Sequence, residues 1–331
     1  MAGRRQKKSS RRSYAWRYRG RIVACVFVEV IIICALVIMI GWNKGVKEWF
    51  EQFEQPVLKE VDISGINSPN AILMQARGGK ILGEINGEAQ IYPASMTKIM
   101  TVILGIENFD DLDEKITLTD EMFAGLYEQD ATQAGFQPGE EVRVIDLLYG
   151  AMLPSGAECC IALADTISGS EADFAELMNK KARKLGMENT HFCDSTGLHN
   201  PDHYSTVKDI AVLMKYCIKN DTFREIVETS RHSTGVTNIH PDGITYYSTM
   251  FKNLSDPTVT GGKILGGKTG YTSEAGHCLV SFAEIEGREY IFVSAGASGA
   301  DGNTIPHIQD AVTVYNRVGA AIEAKMNNNN K

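Results

Sequence analysis

A hydroxyl and an amine stand close together in the sequence at Ser95 and Lys98. The apolar residues that follow, from Ile99 to Leu104, recur with helical spacing, so a helix is predicted to open near Ser95. Residues at i and i+3 share one face of a helix, one turn apart. Because a lysine can replace the histidine that activates a catalytic serine, this pair predicts a serine nucleophile for acyl transfer.

Alone, the Ser-x-x-Lys pattern is explained more simply by a helix-capping serine followed by a solvated lysine. A free lysine has a pKa of about 10.4, so only about one in a few thousand is neutral at pH 7. A lysine that acts as a base therefore needs burial and a second cation nearby. The catalytic interpretation requires both from the rest of the chain.

Two further segments of the chain can contribute to such a site. Ser155 lies at the head of an apolar helix, within the run Pro154-Ser155-Gly156-Ala157, and can bring a second hydroxyl. The polar loop Gly197–Thr206 is the other candidate. Each segment alone is typical of an ordinary turn or helix cap.

A glycine-rich run before a predicted strand supplies the missing cation. Its glycines allow a backbone to approach a ligand closely. Lys268 can serve both as the second cation beside Lys98 and as a seat for a substrate carboxylate. The residues of interest in this run are Lys268, Thr269, Gly270 and Tyr271.

The elements that must position these residues change along the chain. From Ala71, two short β segments flank a Gly78-Gly79 turn. Residues 116–230 are predicted to be mainly helical, with apolar periodicity in Val144–Met152, Cys160–Ile167 and Phe174–Leu185. Later segments predict two strands, Cys278–Ala283 and Tyr290–Ala295, and a final amphipathic helix, Ile308–Ala324. This order predicts an α/β (α+β) fold, in which distant segments close one sheet and an α-helical subdomain lies between them.

The N-terminus differs sharply in charge from the remainder. Residues 1–21 contain nine basic residues and no acid, which leaves a net charge of −17 for residues 22–331. The nineteen residues Ile22–Ile40 are apolar apart from Glu29, and this is close to the length of a membrane helix. The flanking charges predict a cytoplasmic N-terminus and an extracytoplasmic domain. We predict a basic arm at 1–21, a transmembrane anchor at 22–41, a stalk at 42–60, a catalytic domain at 61–324 and a disordered tail at 325–331.

A cleaved signal peptide is the alternative to an uncleaved anchor. No small-x-small cleavage pattern follows Ile40, and the apolar run is long for a signal core. Because this apolar segment directly follows the basic arm, the arm is not interpreted as a nucleic-acid-binding element.

Taken in order, these segments resemble the D-alanyl-D-alanine carboxypeptidases, low-molecular-mass penicillin-binding proteins of the peptidase S11 type. Those serine acyltransferases carry Ser-x-x-Lys, a Ser-x-Asn-type element and Lys-Thr-Gly. The resemblance runs from about Val61 to about Val318. It includes the text YPASMTK, FCDSTGLHNPDHYST and KTGYTSEAGHCLV. It implies the serine β-lactamase and penicillin-binding-protein-like transpeptidase fold, with an antiparallel sheet, flanking helices and an all-α subdomain.

The resemblance also implies a role for each matching residue. Ser95 would attack the carbonyl of the penultimate D-Ala of a peptidoglycan stem peptide, and Lys98 would accept its proton. Ser155 would relay a proton to the leaving D-Ala, and Lys268 and Thr269 would hold the terminal carboxylate. The backbone N–H groups of Ser95 and Tyr271 would form the oxyanion hole. β-Lactams would acylate Ser95, and neither a cofactor nor a metal is implied.

The chain departs from the family pattern at Ala157, where the second element usually ends in Asn. Loss of that hydrogen bond to the substrate would cost about 1–3 kcal/mol. Such a loss corresponds to roughly ten- to hundredfold in rate, which impairs an enzyme without abolishing activity. Glu158 follows Ala157, and it can compensate only if its carboxylate points into the site.

Several alternatives remain open from the sequence. A class A β-lactamase is disfavoured because no deacylating Glu-x-x-x-Asn loop is evident between Gly156 and Gly261. An endopeptidase or transpeptidase with the same site, or a catalytically impaired penicillin-binding or wall-sensing protein, is harder to separate. A zinc peptidase built on His199 and His203 is disfavoured because both lie in a predicted loop, where surface or loop histidines are the simpler account.

Overall fold

The computed structural model describes residue 30 and residues 58–254, 256–299 and 305–329. Apart from residue 30 and the last residues of the stalk, the arm, anchor and stalk predicted for residues 1–60 lie outside this part. Among the described residues, no helix is long and apolar enough to cross a membrane. Contacts divide the chain after Pro56, and Val57–Lys331 form one unit.

Strands lie at both ends of this unit. In chain order they are β1 (Asn70–Gln75), β2 (Ile81–Ile85), β3 (Lys115–Thr117), β4 (Glu141–Arg143), β5 (Arg231–Ser233), β6 (Thr245–Tyr247), β7 (Thr258–Val259), β8 (Gly262–Thr272), β9 (Gly276–Ile285) and β10 (Arg288–Ala297). The hairpin predicted around Gly78-Gly79 and the two predicted late strands are confirmed. The short hairpins β3–β4 and β5–β6 interrupt a region that the sequence predicted as mainly helical.

Six of these strands form one antiparallel sheet in the order β2-β1-β10-β9-β8-β7. β1 pairs with β10, so segments more than 200 residues apart in the sequence close the sheet. This closure confirms the prediction of one sheet built from both ends of the domain. β8, which carries the Lys-Thr-Gly run, pairs along its whole length with β9.

Helices fill most of the interval between β2 and β7. They are α1 (Lys98–Asn108), α2 (Val144–Met152), α3 (Ala157–Ser168), α4 (Glu171–Leu185), α5 (Val207–Cys217), α6 (Asp221–Glu228) and α7 (Thr249–Asn253), and α8 (Pro306–Asn329) follows β10. Local capping explains several starts, since the side chains of Ser170, Thr206 and Asn220 accept hydrogen bonds from the first turns of α4, α5 and α6. α2 has the bounds predicted from its apolar periodicity.

The sheet separates two hydrophobic cores because strand side chains alternate between its faces. Ile72, Val280 and Phe282 face the core that contains helices α1 to α6. The opposite face carries residues such as Leu279 and Phe292, and it packs against α8. The observed architecture is a mixed fold of helices around an antiparallel sheet, as predicted from the sequence.

The C-terminal helix is longer than predicted. α8 begins at Pro306 and continues to Asn329, whereas the sequence predicted Ile308–Ala324 followed by a disordered tail. The prediction of disorder for residues 325–329 was therefore wrong. Composition identified the Asn-rich end as polar, but polar residues can continue a helix whose preceding turns are anchored on a sheet.

Candidate active site

Ser95 lies in a 3-10 turn, Ala94–Thr97, that leads directly into α1. Ala94 has a φ of +46°, a left-handed conformation that is uncommon outside glycine. The Lys98 ammonium nitrogen Nζ lies 3.1 Å from Ser95 Oγ, so the structure brings the predicted nucleophile and base together. Lys98 is only 3% exposed, which meets the requirement for burial.

A second contact of Lys98 connects it to a distant loop. Lys98 Nζ donates to the carbonyl oxygen of Thr196 at 2.7 Å. Asp194 orders this loop by accepting hydrogen bonds from Thr196 N, Thr196 Oγ1 and Gly197 N, each at 2.7 Å. Burial raises the pKa of Asp194, but His203 and these hydrogen bonds outweigh burial and lower it to about 2. The loop therefore holds an ionised carboxylate that fixes the acceptor for Lys98.

Glu171 and Ser195 form a further support that the sequence analysis missed. Glu171 accepts hydrogen bonds from Ser195 N at 3.0 Å and Ser195 Oγ at 2.6 Å. Thr101 on α1 donates to the Ser195 carbonyl at 2.6 Å. Burial raises the pKa of the Glu171 carboxyl. Only the start of a helix at Glu171 and a polar loop at 194–205 were visible in the sequence, and neither feature indicated that they meet.

Gly197 allows the loop to approach the serine turn. Its φ is +79°, and a Cβ at this position would lie 2.0 Å from the Ala94 carbonyl oxygen. His203 is 2% exposed, and its Nε2 lies 2.9 Å from Thr97 Oγ1. The loop location predicted for His203 is correct, but the interpretation as a surface residue was wrong, because the histidine is packed under the serine turn. Among the described residues there is no group of three or more side chains placed to hold a metal.

Lys268 lies on β8 and is 1% exposed. Burial lowers its pKa well below the ordinary value, and the nearby charge of Lys98 lowers it further. The structure thus supplies the predicted second cation close to Lys98. Lys268 Nζ donates to the Thr269 carbonyl at 3.0 Å, and the side chain is not among those that line the cleft at Ser95. The structure does not bring Lys268 to the cleft surface where the sequence predicted a carboxylate seat.

A cleft of about 900 Å³ opens at Ser95. Five of the eight site residues predicted from the sequence line it, namely Ser95, Ser155, Thr269, Gly270 and Tyr271. Gly270 is required by a close approach, since a Cβ there would lie 3.0 Å from Ser95 N. This approach places β8 against the serine turn, beside the Ser95 N–H that would contribute to an oxyanion hole.

The turn that carries Ser155 is strained and closely held. Ser155 has a φ of +76°, and its side chain lines the cleft while the residue is 7% exposed. Ala157 is 1% exposed and donates its N–H to the Thr132 carbonyl at 2.8 Å. The Ala157 side chain is therefore buried behind Ser155, outside the cleft lining.

Glu158 points away from the cleft. One oxygen of its carboxylate, Oε1, accepts hydrogen bonds from Ala134 N at 2.6 Å and Gly135 N at 3.0 Å. The residue is fully buried, and burial raises the pKa of its carboxyl. Glu158 thus holds the 134–135 loop, and it does not occupy the place of the missing asparagine.

Comparison with known proteins identifies the family. The profile of Peptidase S11, D-alanyl-D-alanine carboxypeptidase, matches residues 57–299. This chain belongs to that family. The match covers Ser95, Lys98, Ser155 and the Lys-Thr-Gly run, and it begins after the predicted N-terminal segments.

Individual family members are similar over most of the described domain. The chain is 35% identical over 231 residues to D-alanyl-D-alanine carboxypeptidase DacF of Bacillus subtilis, covering 69% of this chain and 57% of the relative. It is 33% identical over 262 residues to DacC of Escherichia coli, covering 72% of this chain and 58% of the relative. The chain therefore spans less than two thirds of the length of these relatives.

Solved structures give the same family and fold. The DD-transpeptidase of Streptomyces K15 superposes with a TM-score of 0.69 at 29% identity, covering 79% of this chain and all of that chain. A D-alanyl-D-alanine carboxypeptidase from Mycobacterium tuberculosis, at 22% identity and a TM-score of 0.69, shares the fold.

Proposed function

We propose that this protein is a serine D,D-carboxypeptidase that removes the terminal D-Ala from peptidoglycan stem pentapeptides. The observation that carries the proposal is the 3.1 Å hydrogen bond from Lys98 Nζ to Ser95 Oγ at the cleft. Membership of the D-alanyl-D-alanine carboxypeptidase family supports the choice of substrate. β-Lactams, which mimic that substrate, would acylate the same serine.

Acylation begins at Ser95. Its Oγ attacks the carbonyl carbon of the penultimate D-Ala, while its proton passes to Lys98. Lys98 and Lys268 lie close together in a buried site, so the pair carries one positive charge more easily than two. That preference leaves one of the two amines neutral, as a proton acceptor requires.

The oxyanion that forms on the attacked carbonyl needs hydrogen-bond donors. The backbone N–H groups of Ser95 and Tyr271 are proposed for this role, since β8 approaches the serine turn at Gly270. Removing one such donor typically costs a hundred- to thousandfold in rate. Both donors belong to the backbone and remain whatever occupies position 157.

Collapse of the intermediate breaks the bond to the terminal D-Ala. Ser155, which lines the cleft, delivers a proton to the leaving amine, and the shortened peptide remains as an ester on Ser95. Water then hydrolyses the ester, which restores the Ser95 hydroxyl. The products are a stem peptide one residue shorter and free D-Ala.

A transpeptidase or endopeptidase reaction at the same site is the second candidate. The Streptomyces K15 relative, 35% identical over 236 residues, is named a D-alanyl-D-alanine carboxypeptidase, whereas its solved structure is named a DD-transpeptidase. Both reactions share the acyl-enzyme and differ in whether water or an amine accepts the acyl group. A third candidate, an impaired penicillin-binding protein, is motivated by Ala157.

The proposed location follows from the N-terminal residues. We propose that residues 22–41 anchor the protein in the cell membrane, with the arm 1–21 in the cytoplasm and the catalytic domain outside. The nineteen-residue apolar run and its basic flank support this arrangement. Protease protection of the arm in intact cells would test it.

Labelling with fluorescent penicillin tests the proposed function. The full chain should form a covalent adduct, and Ser95→Ala should reduce labelling to background. Ser230→Ala, at an exposed serine remote from the cleft lining, is the matched control and should label like the wild type. Release of D-Ala from a pentapeptide, measured with and without an amine acceptor, then separates carboxypeptidase from transpeptidase. A folded wild-type protein that takes no label would contradict the proposal.

A further inference from the structure

Lys252 is the one lysine or arginine that lines the cleft within the described part of the chain. Lys268, which the sequence predicted as a carboxylate seat, is 1% exposed and lies outside the cleft lining. Asp130 also lines the cleft, and it would repel an anionic group. A substrate carboxylate in this cleft therefore needs a cation other than Lys268.

Two histidines of the cleft do not supply that charge. The rings of His277 and His307 stack with centroids 5.0 Å apart and planes 7° from parallel. Burial and the neighbouring His277 lower the pKa of His307 to about 4, although Asp310 opposes this shift. At pH 7, only about one His307 in a thousand would then be protonated. Lys252 is left as the cationic side chain of the lining.

Lys252 stands beside a pair of hydroxyl groups. Thr249 Oγ1 and Thr269 Oγ1 lie 2.6 Å apart, and both residues line the cleft. Thr249 opens α7, and Lys252 follows three residues later, so the two side chains share one face of that helix. When one hydroxyl of the pair donates to the other, the second keeps a free hydrogen to donate to a ligand.

We infer that Lys252, Thr249 and Thr269 form the seat for the carboxylate of the terminal D-Ala. This inference rests on the proposed function, and it names a substrate-binding residue, Lys252, that lies outside all three active-site elements. A hydroxyl donor and an ammonium group together satisfy a carboxylate better than either does alone. Because Lys252 is exposed, its attraction for the carboxylate is screened by salt.

Acylation by a penicillin with a free carboxylate, compared with acylation by its methyl ester, tests the seat in the full chain. Lys252→Gln should lower the acylation rate constant for the acid by about ten- to hundredfold, the usual effect of losing a charged hydrogen-bond partner. The rate for the neutral ester should change by less than about twofold. Lys252→Arg should keep most of the preference for the acid, because it keeps the charge.

A matched control is available on β8. Lys263→Gln removes an exposed lysine of the same strand that lies outside the cleft lining, and it should leave both rates unchanged. Added sodium chloride should slow the acid reaction of the wild type and of Lys252→Arg more than that of Lys252→Gln. This salt response separates a charge contact from a change in folding.

The outcomes distinguish this inference from the proposed function. An unchanged ratio of acid to ester rates in Lys252→Gln would overturn the inference, and so would an equal fall in both rates. In either case the wild type is still acylated, and the proposed function stands. If neither compound acylates the wild type, the proposed function fails, and the assignment of Lys252 fails with it.

Discussion

Ser155 carries both strain and a proposed catalytic hydroxyl. A non-glycine residue in the left-handed region costs about 1–2 kcal/mol, so the φ of +76° must be maintained by the surrounding structure. The next two residues supply this restraint through backbone hydrogen bonds, Gly156 N to the Gly150 carbonyl and Ala157 N to the Thr132 carbonyl, both 2.8 Å. The strain therefore aims one hydroxyl into the cleft at a fixed place.

Replacing Ser155 with alanine should separate the hydroxyl from the strain. Alanine experiences the same left-handed strain, so the melting temperature should stay nearly constant. The acylation rate by penicillin should fall by about a hundredfold or more, as expected for losing a general acid–base group. Stopped-flow acylation and thermal unfolding measure the two effects.

Ser155→Gly is the complementary variant, because glycine removes the hydroxyl and relieves the strain. It should be more stable than the wild type by about 1 kcal/mol and just as slow as Ser155→Ala. A Ser155→Ala protein that acylates at the wild-type rate would show that this hydroxyl does not relay the proton.

At the scale of elements, the site depends on a contact between the serine turn and the 194–197 loop. Lys98 Nζ donates to the Thr196 carbonyl, and the loop is held in turn by Asp194 and Glu171. Gly197 permits this contact because a side chain there would collide with the Ala94 backbone. Orientation of the base is thus a property of two elements about one hundred residues apart.

Gly197→Ala should damage both stability and activity. The substitution adds left-handed strain to a clash with backbone atoms, and together these should lower the free energy of unfolding by about 2–5 kcal/mol. Acylation by penicillin should slow as well, because displacement of the loop moves the acceptor of Lys98. Urea unfolding and acylation kinetics at a temperature where the variant is folded provide the measurements.

Gly186→Ala is the matched control for this prediction. Gly186 has a φ of +81°, and no atom lies within 4 Å of the Cβ that alanine would add, so the substitution introduces strain without a clash. It should cost only about 1 kcal/mol and leave acylation unchanged. Equal effects of the two substitutions would contradict the role assigned to Gly197.

For the whole molecule, the last helix connects the C-terminal part of the chain to the sheet. α8 covers the face of the sheet opposite to the helices that carry the serine turn. Tyr315 lies at the centre of this contact, is fully buried, and bonds through its hydroxyl oxygen to Ser281 Oγ and Phe292 N, each at 3.1 Å. The helix is therefore attached to β9 and β10 by polar as well as apolar contacts.

Tyr315→Phe should lower stability without changing the chemistry. Loss of two buried hydrogen bonds should reduce the free energy of unfolding by about 1–3 kcal/mol, measured by urea unfolding. Acylation per folded molecule should be unchanged, because Tyr315 is remote from the cleft lining. Tyr127→Phe, at a residue 88% exposed, is the control and should alter neither quantity. A Tyr315→Phe protein as stable as the wild type would exclude the proposed attachment.

Local features of this protein could be predicted from its amino-acid sequence alone. Ser95 and Lys98 are one helical turn apart, α2 follows a strong apolar period, and the β1–β2 hairpin turns at paired glycines. These features depend on interactions between residues a few positions apart, which periodicity and turn chemistry report directly. The residues around the three motifs were also sufficient to indicate the family.

Which distant groups surround the Ser95–Lys98 pair depends instead on the tertiary fold. The fold turns Lys268 inward, directs Glu158 to the 134–135 loop, and brings Asp194, Glu171 and Thr196 behind Lys98. It also places Lys252 at the cleft, although nothing in its local sequence distinguishes it from other exposed lysines. The physical reason is that such contacts join segments tens to hundreds of residues apart. Their formation depends on how helices and sheet pack, and local sequence does not encode that packing.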